Sequence, residues 1–222
     1  MKYALDFSWL WGSLGALASG AGVTLLLIAC TTVFGLILSI LGAAARRGRY
    51  LWLRKLVGAY VEIIRNTPFL VQLFFLFFGL PSIGIRLDPM VAAILAMTLN
   101  MAAYTIEVVG AGLDAVPRGQ KEAATALGMR PRLVFVKVVL PQALAIIYPA
   151  LTSQIIIMML ESAVVSQISV RELAQEADLL QARTFRSFET YLVVTLIYLT
   201  LSAAVRRAMI LFGRRMLGAG VK

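Results

Sequence analysis

The candidates for chemistry in this sequence are polar side chains that interrupt long apolar runs. Glu161 follows one such run, with Ser162 beside it. Asn100, Tyr104 and Glu107 are spaced by four and three residues, which puts them on one face of a helix. Because a charge at the centre of an apolar helix costs about 2.5–3.5 kcal/mol in a membrane, such residues face protein or water. They are candidates for a polar pathway or a ligand contact.

Each candidate has a structural interpretation beside the functional one. Glu161 either contacts a ligand's ammonium group or cationic side chain, or is an ion satisfied near the end of its helix. Asn100, Tyr104 and Glu107 either line a pathway that faces Glu161, or hydrogen-bond to neighbouring helices. Glu62 and Arg65, three residues apart, are expected to pair with each other.

A second group of candidates surrounds a predicted helix break at Thr67-Pro68. Proline removes a helical hydrogen bond and leaves backbone groups free. A broken apolar helix is tolerated where it is buried or lines a cavity. Thr67 and Gln72 are therefore further candidates for the pathway.

Enzyme chemistry has little support. The sequence has no histidine, no phosphate-binding loop and no acidic cluster. Its single cysteine, Cys30, cannot form an internal disulfide, and its apolar surroundings favour a packing role. We expect no catalytic residue, no metal site and no cofactor in this chain.

The composition indicates an integral membrane protein. Of 222 residues, 60% are hydrophobic and 14% are charged, against about 25% charged in soluble domains. The net charge of +10 does not indicate nucleic acid, since no tract interleaves basic and aromatic residues.

A crossing helix needs about 20 apolar residues. Windows nearly free of charge predict an all-α fold in which one membrane domain covers the chain. Its five spans are expected at about 17–42, 57–80, 89–112, 142–165 and 189–211.

Basic residues give the orientation. The segments after spans one and three, and the tail, carry five basic residues each. The segments on the opposite side share five in all. By the positive-inside rule the basic side is cytoplasmic, so the N-terminus is expected outside. These counts include Lys2 and Lys222. Segment 168–182 is expected to form an interfacial helix on the outer face.

The cytoplasmic segment 114–141 has a defined pattern. Residues 118–127 favour helix, Gly128 suits a left-handed helix end, and Pro131 suits the first turn of another helix. Ala123, Ala124 and Leu127 are expected to share a small apolar face. Helix, sharp turn and helix would form a rigid projection suited to pressing into a partner.

This segment resembles the membrane subunits of ATP-binding-cassette importers. Their shared motif is Glu-Ala-Ala, three residues, Gly, nine residues, Ile, one residue, Leu-Pro. The spacing is matched here from Glu122 through Gly128 to Leu140-Pro141, with Val138 in place of Ile. The resemblance implies a type I importer fold in which these cytoplasmic helices couple to an ATPase through Glu122, Ala123, Ala124, Leu127 and Gly128.

Other stretches are similar to the polar amino acid branch of that family. They are RNTPFLVQ (65–72), LNMAAYTIEVVGAGLDAVPRGQ (99–120) and ELAQEADLLQARTFRSFETYLVV (172–194). Many relatives carry a lysine before the acidic residue near the end of span four, where this chain has Leu160 before Glu161.

The resemblance implies several partners. These are an ATPase subunit that binds ATP and Mg²⁺, a second permease copy or homologue, an extracytoplasmic binding protein, and an amino acid substrate, in the lipid of a bacterial inner membrane. Glu161 and Glu107 favour a basic amino acid, with other polar amino acids open. The alternatives are an ion-gradient-driven secondary transporter and a non-transporting assembly subunit.

Overall fold

A computed structural model describes residues 5–217, which are helical almost throughout and contain no strand. Lys2 and Lys222, used in the charge count, lie outside the described residues. The elements are α1 (Leu10–Arg47), α2 (Leu51–Arg65), α3 (Phe69–Phe74, continued by a π-helical turn Phe75–Gly79 and a 3-10 turn Leu80–Ile83), α4 (Pro89–Ala115), α5 (Arg118–Ala126), α6 (Pro131–Val134, continued by a π-helical turn Phe135–Val139), α7 (Leu140–Glu161, continued by a 3-10 turn Ser162–Ile168), α8 (Leu173–Thr184) and α9 (Ser187–Leu217).

The apolar helices fit an all-α membrane domain. Within residues 5–217, four continuous helices are long and apolar enough to cross a membrane: Leu10–Arg47, Pro89–Ala115, Pro131–Ile168 and Ser187–Leu217. They contain the predicted spans one, three, four and five. The first is much longer than predicted.

The predicted second span, 57–80, is sharply bent. Leu51–Arg65 and Phe69–Ile83 meet at an angle of 111°, and together they form either one broken span or a re-entrant loop. The break lies where Thr67-Pro68 predicts it, because Pro68 is extended and has no backbone N–H to continue α2. The sequence does not predict the size of the bend.

α4 is the central helix of the bundle. Its small residues Ala92, Ala93, Ala96, Ala102 and Ala103 are almost fully buried, so neighbouring backbones approach closely. α1 runs along it, and a Cβ at Gly42 would lie 2.4 Å from the Ile106 side chain. Glycine at that position therefore sets the spacing of α1 and α4.

The predicted outer helix begins later than expected. Residues 168–172 precede it, with Ser169 at a left-handed φ of 64°, and α8 starts at Leu173. Leu173, Ala177 and Leu180 form the expected apolar side, but they pack against Leu17 of α1 and Val194 of α9. α8 therefore buries its apolar side within the protein instead of presenting it to lipid.

Candidate functional site

Segment 114–141 has the predicted helix–turn–helix structure. Gly128 has a φ of 75° and follows Leu127, the capping residue of α5, and Pro131 starts α6. The Gly128 N–H donates to the Thr125 carbonyl at 2.9 Å, and the Met129 N–H donates to the Ala124 carbonyl at 3.2 Å. These two bonds make a Schellman helix end, in which the last carbonyls of α5 are satisfied at a left-handed glycine.

The predicted small apolar face is divided in two. Ala124 is 5% exposed and packs against Val116, Val134 and Val139. Leu127 is 82% exposed, and Ala123 and Glu122 are exposed beside it. A single shared face was therefore the wrong expectation. Ala124 anchors α5 to the protein, and Leu127 projects outward from the turn.

The turn leaves open space around Gly128. A Cβ placed there would meet no atom within 4 Å, so the glycine is required by its left-handed backbone and not by crowding within this chain. Gly119, nine residues earlier and within α5, also has open space around it but no positive φ. The two glycines form a matched pair for substitution.

Gln72 connects the helix break to α4. Its Nε2 donates to the Ile64 carbonyl at 2.8 Å and to the Thr67 carbonyl at 3.0 Å, which are backbone groups freed by the break. Its Oε1 accepts from Asn100 Nδ2 at 3.0 Å. Thr67 Oγ1 in turn donates to the Ile63 carbonyl at 2.8 Å. Thr67, Gln72 and Asn100 therefore form one hydrogen-bonded group that holds the bend.

Tyr104 and Glu107 belong to a separate charged group. Glu107 pairs with Arg46 at the end of α1, and the Arg65 guanidinium lies 5.4 Å from the centre of the Tyr104 ring. The expected pair between Glu62 and Arg65 is not formed among the described residues. A cleft of about 460 Å³ opens between these side chains, and it is also lined by Gly58, Val61, Glu62 and Asn66.

Glu161 lies apart from both groups. It is half-buried at the end of α7, and within residues 5–217 it has no hydrogen bond or ion pair. No bond joins it to Asn100, Tyr104 or Glu107 in the described part of the chain. Ser162 beside it is fully buried and donates to the Met159 carbonyl at 2.6 Å.

A polar network near α8 escaped the sequence reasoning. Glu172 is fully buried, and it accepts from Tyr198 OH at 2.7 Å and from the Gln175 N–H at 2.9 Å. Thr24 Oγ1 lies 3.3 Å from the carboxylate and accepts from the Leu173 N–H. Burial raises the pKa of the Glu172 carboxyl despite these donors. Its position just before an apolar helical pattern was the available signal, since acidic residues cap helix starts.

Arg46 was also missed. It lies in a basic segment after span one, and only the packing of α1 on α4 brings it to Glu107. Sequence spacing carries no signal for such a contact.

Comparison with known proteins gives consistent matches. Residues 32–218 match the family described as binding-protein-dependent transport system inner membrane component. The chain is 33% identical over 198 residues to the arginine transport system permease protein of Bacillus subtilis (strain 168), covering 89% of this chain and 90% of that protein. It is 37% identical over 167 residues to the L-cystine transport system permease protein of the same organism, covering 75% and 71%.

Solved structures show the same fold. A crystal structure of an amino acid ABC transporter with histidines superposes with a TM-score of 0.89 at 33% identity, covering 96% of this chain and 100% of that one. An inward-facing methionine ABC transporter superposes with a TM-score of 0.73 at 24% identity, covering 98% and 100%. The bundle is thus that of type I importer permeases.

Proposed function

The chain belongs to the family of binding-protein-dependent transport system inner membrane components, and on that premise we propose that it forms the membrane pathway of an ATP-driven amino acid importer. It is a multi-pass amino acid ATP-binding-cassette permease of a bacterial inner membrane and a transport component, not a catalytic subunit. In the proposal the N-terminus is outside, and two permease subunits, identical or homologous, enclose the pathway. An extracytoplasmic binding protein delivers the substrate.

The observation that supports the proposal best is the exposed Leu127. Its large apolar side chain is 82% exposed on a rigid turn, and burial in a partner's cleft would remove that apolar surface from water. Ala124, packed against α6 and the start of α7, fixes α5 to the fourth span. A force on Leu127 would therefore be passed to that span instead of bending a loose loop.

This arrangement suits alternating access. The partner at the turn would be an ATPase subunit that holds ATP and Mg²⁺. Closure of two such subunits would draw the two α5 helices together and open the pathway outward. Hydrolysis would let them separate, and the substrate would leave toward the cytoplasm.

The polar groups are spread in depth along the proposed pathway. At about 1.5 Å of rise per residue, Asn100 and Glu107 are about 10 Å apart along α4. Glu161 lies near the other end of its span, toward the outside in the proposed orientation. We assign Glu161 and Ser162 to the outer part of the pathway, Asn100, Gln72 and Thr67 to the middle, and Tyr104 and Glu107 to the inner part.

The unpaired carboxylate favours a basic amino acid as substrate. Glu107 is compensated by Arg46, whereas Glu161 has no cationic partner among the described residues. A half-buried carboxylate without a partner favours a cationic group brought by a ligand. Relatives are named for arginine, cystine and glutamine transport, so neutral polar substrates stay as the second candidate.

Gly128→Asp tests the proposed coupling. An aspartate fits in the open space but strains the left-handed backbone and puts a charge next to Leu127. We expect normal insertion and at least a tenfold loss of ATP-dependent uptake in proteoliposomes that contain the ATPase. Gly119→Asp adds the same charge on α5 without backbone strain and is the control. Equal uptake by the two variants would overturn the coupling role of the turn.

The same assay separates the alternative of ion-driven transport. Uptake that ends when ATP is withheld and persists when ion gradients are dissipated supports the importer. The reverse pattern would assign the chain to secondary transport.

A further inference from the structure

A second, larger cavity lies where the end of α1, the start of α2 and the end of α4 meet. It measures about 680 Å³ and is separate from the 460 Å³ cleft, although the pair Arg46–Glu107 lies between the two and lines both. It is lined by Arg46, Arg47, Leu51, Arg54, Lys55, Ile106, Glu107, Gly110, Ala111 and Asp114. The transport proposal assigns Glu107 to the pathway but uses none of the basic residues that line this cavity.

The charges of this basic cavity are not balanced. Its two carboxylates are already engaged by α1, because Glu107 pairs with Arg46 and Asp114 pairs with Arg47 at 2.8 Å. The side chains of Arg54 and Lys55 form no hydrogen bond or ion pair within residues 5–217. Two adjacent cations thus face the cavity with no carboxylate paired to either of them, which is the electrostatic pattern of an anion site.

The surroundings are those of a membrane interface. Tyr50 and Trp52, at the start of α2, are 50% and 66% exposed, and such aromatic side chains collect at the level of lipid headgroups. Leu51 and Leu56 are also largely exposed beside the two cations. α2 therefore offers an apolar surface for acyl chains next to a basic cavity for a headgroup.

We propose that the basic cavity binds the phosphate group of an anionic phospholipid of the cytoplasmic leaflet, through Arg54 and Lys55. The acyl chains lie along Leu51, Trp52 and Leu56. Arg54 and Lys55 are not among the residues assigned to the substrate pathway, and the assignment of the site to the cytoplasmic leaflet rests on the orientation proposed above. A zwitterionic lipid carries the same phosphate without net charge and binds less well.

The first experiment measures retained lipid by native mass spectrometry of the complete transporter, with phosphatidylglycerol or phosphatidylcholine added. The double variant Arg54→Gln/Lys55→Gln is compared with Arg214→Gln/Arg215→Gln, which removes the same charge from the exposed end of α9. We expect phosphatidylglycerol affinity to fall on the order of tenfold in the first variant only. Equal retention in the wild type and both variants, or an equal loss in both variants, would overturn the proposal.

Two further experiments follow. The first distinguishes a lipid phosphate from a soluble one, and the second uses only the wild-type chain, so it does not depend on the folding of a variant. Saturating inorganic phosphate should leave phosphatidylglycerol bound, and complete displacement would assign the cavity to a soluble anion. A phosphatidylglycerol with a photoreactive acyl chain should label the wild-type peptide 51–56. Labelling only elsewhere would show that a partner subunit covers the cavity and would overturn the lipid site.

Discussion

Glu172 and Leu127 lie in two polar connections of the chain and have opposite surroundings. Glu172, between α7 and α9, is 0% exposed although it is ionisable. Leu127, between α4 and α7, is 82% exposed although it is apolar. The first connection satisfies its carboxylate within the chain, through Tyr198, Gln175 and Thr24.

The difference separates a structural end of the bundle from a docking end. Along α8, Leu173, Ala177 and Leu180 are buried against α1 and α9, although Phe185 at its end is 89% exposed, and the buried carboxylate of Glu172 has its donors. At the turn after α5 Leu127 is left exposed, and on α2 the side chains of Arg54 and Lys55 have no ion pair within the described residues. Substitutions around α8 should therefore change stability, whereas substitutions around α5 should change partner-dependent activity.

The largest effect expected is on stability, from Glu172→Ala. The substitution removes the carboxylate that accepts hydrogen bonds from α1, α8 and α9. The buried donors are left unsatisfied, which costs about 3 kcal/mol. Thermal unfolding in detergent measures the effect. Glu122→Ala, on exposed α5, should change the free energy of unfolding by less than about 0.5 kcal/mol. Equal destabilisation by the two variants would remove the distinction between the ends.

A smaller effect is expected from Glu161→Gln. Glu161 lies toward the same side as Glu172, but within the described residues its carboxylate has no hydrogen bond or ion pair. We expect cationic amino acid uptake to fall several-fold and neutral uptake to change little, since only a cationic substrate uses the charge. Competition uptake in proteoliposomes measures the ratio. Glu107→Gln is the control, because it breaks the Arg46 pair and should affect both substrates alike. An unchanged ratio in Glu161→Gln would remove this residue from substrate contact.

The smallest effect is a pH dependence of stability. Burial raises the pKa of Glu172 above its ordinary value of 4.5, so the folded chain keeps this proton where the unfolded chain has lost it. Its contribution is fully present below pH 4.5 and is lost as the pH rises through the raised pKa. Denaturation at several pH values should therefore give a shallower pH dependence for Glu172→Gln than for the wild type. The same slope in both proteins would contradict the assigned pKa shift.

Local backbone structure was the part that the sequence predicted well. Gly128 and Pro131 correctly predicted where α5 ends and α6 begins, because left-handed φ and a fixed proline φ are properties of single residues. The break at Pro68 was predicted for the same reason. The 111° angle between α2 and α3 was not predicted, because it depends on the hydrogen bond between Gln72 of α3 and Asn100 of α4.

Pairings between distant residues were the part that spacing could not predict. Glu62 and Arg65 satisfy the helical spacing rule, yet Arg65 stacks over Tyr104 from another helix. Glu107 had two interpretations, a pathway that faces Glu161 or a bond to a neighbouring helix, and its pair with Arg46 of α1 fits the second. In each case tertiary packing provides a partner that competes with the local one, and the identity of that partner depends on how helices cross.

The most direct test of the account is purification of the tagged chain from its own membranes in mild detergent, with mass spectrometry of the proteins that accompany it. We predict an ATPase subunit with a phosphate-binding loop, retained by Met216→Glu and lost in Leu127→Glu. Both substitutions place a charge on an exposed apolar residue, and only the second lies on the turn. A chain that purifies without an ATPase, or an ATPase retained equally by both variants, would contradict docking at this turn.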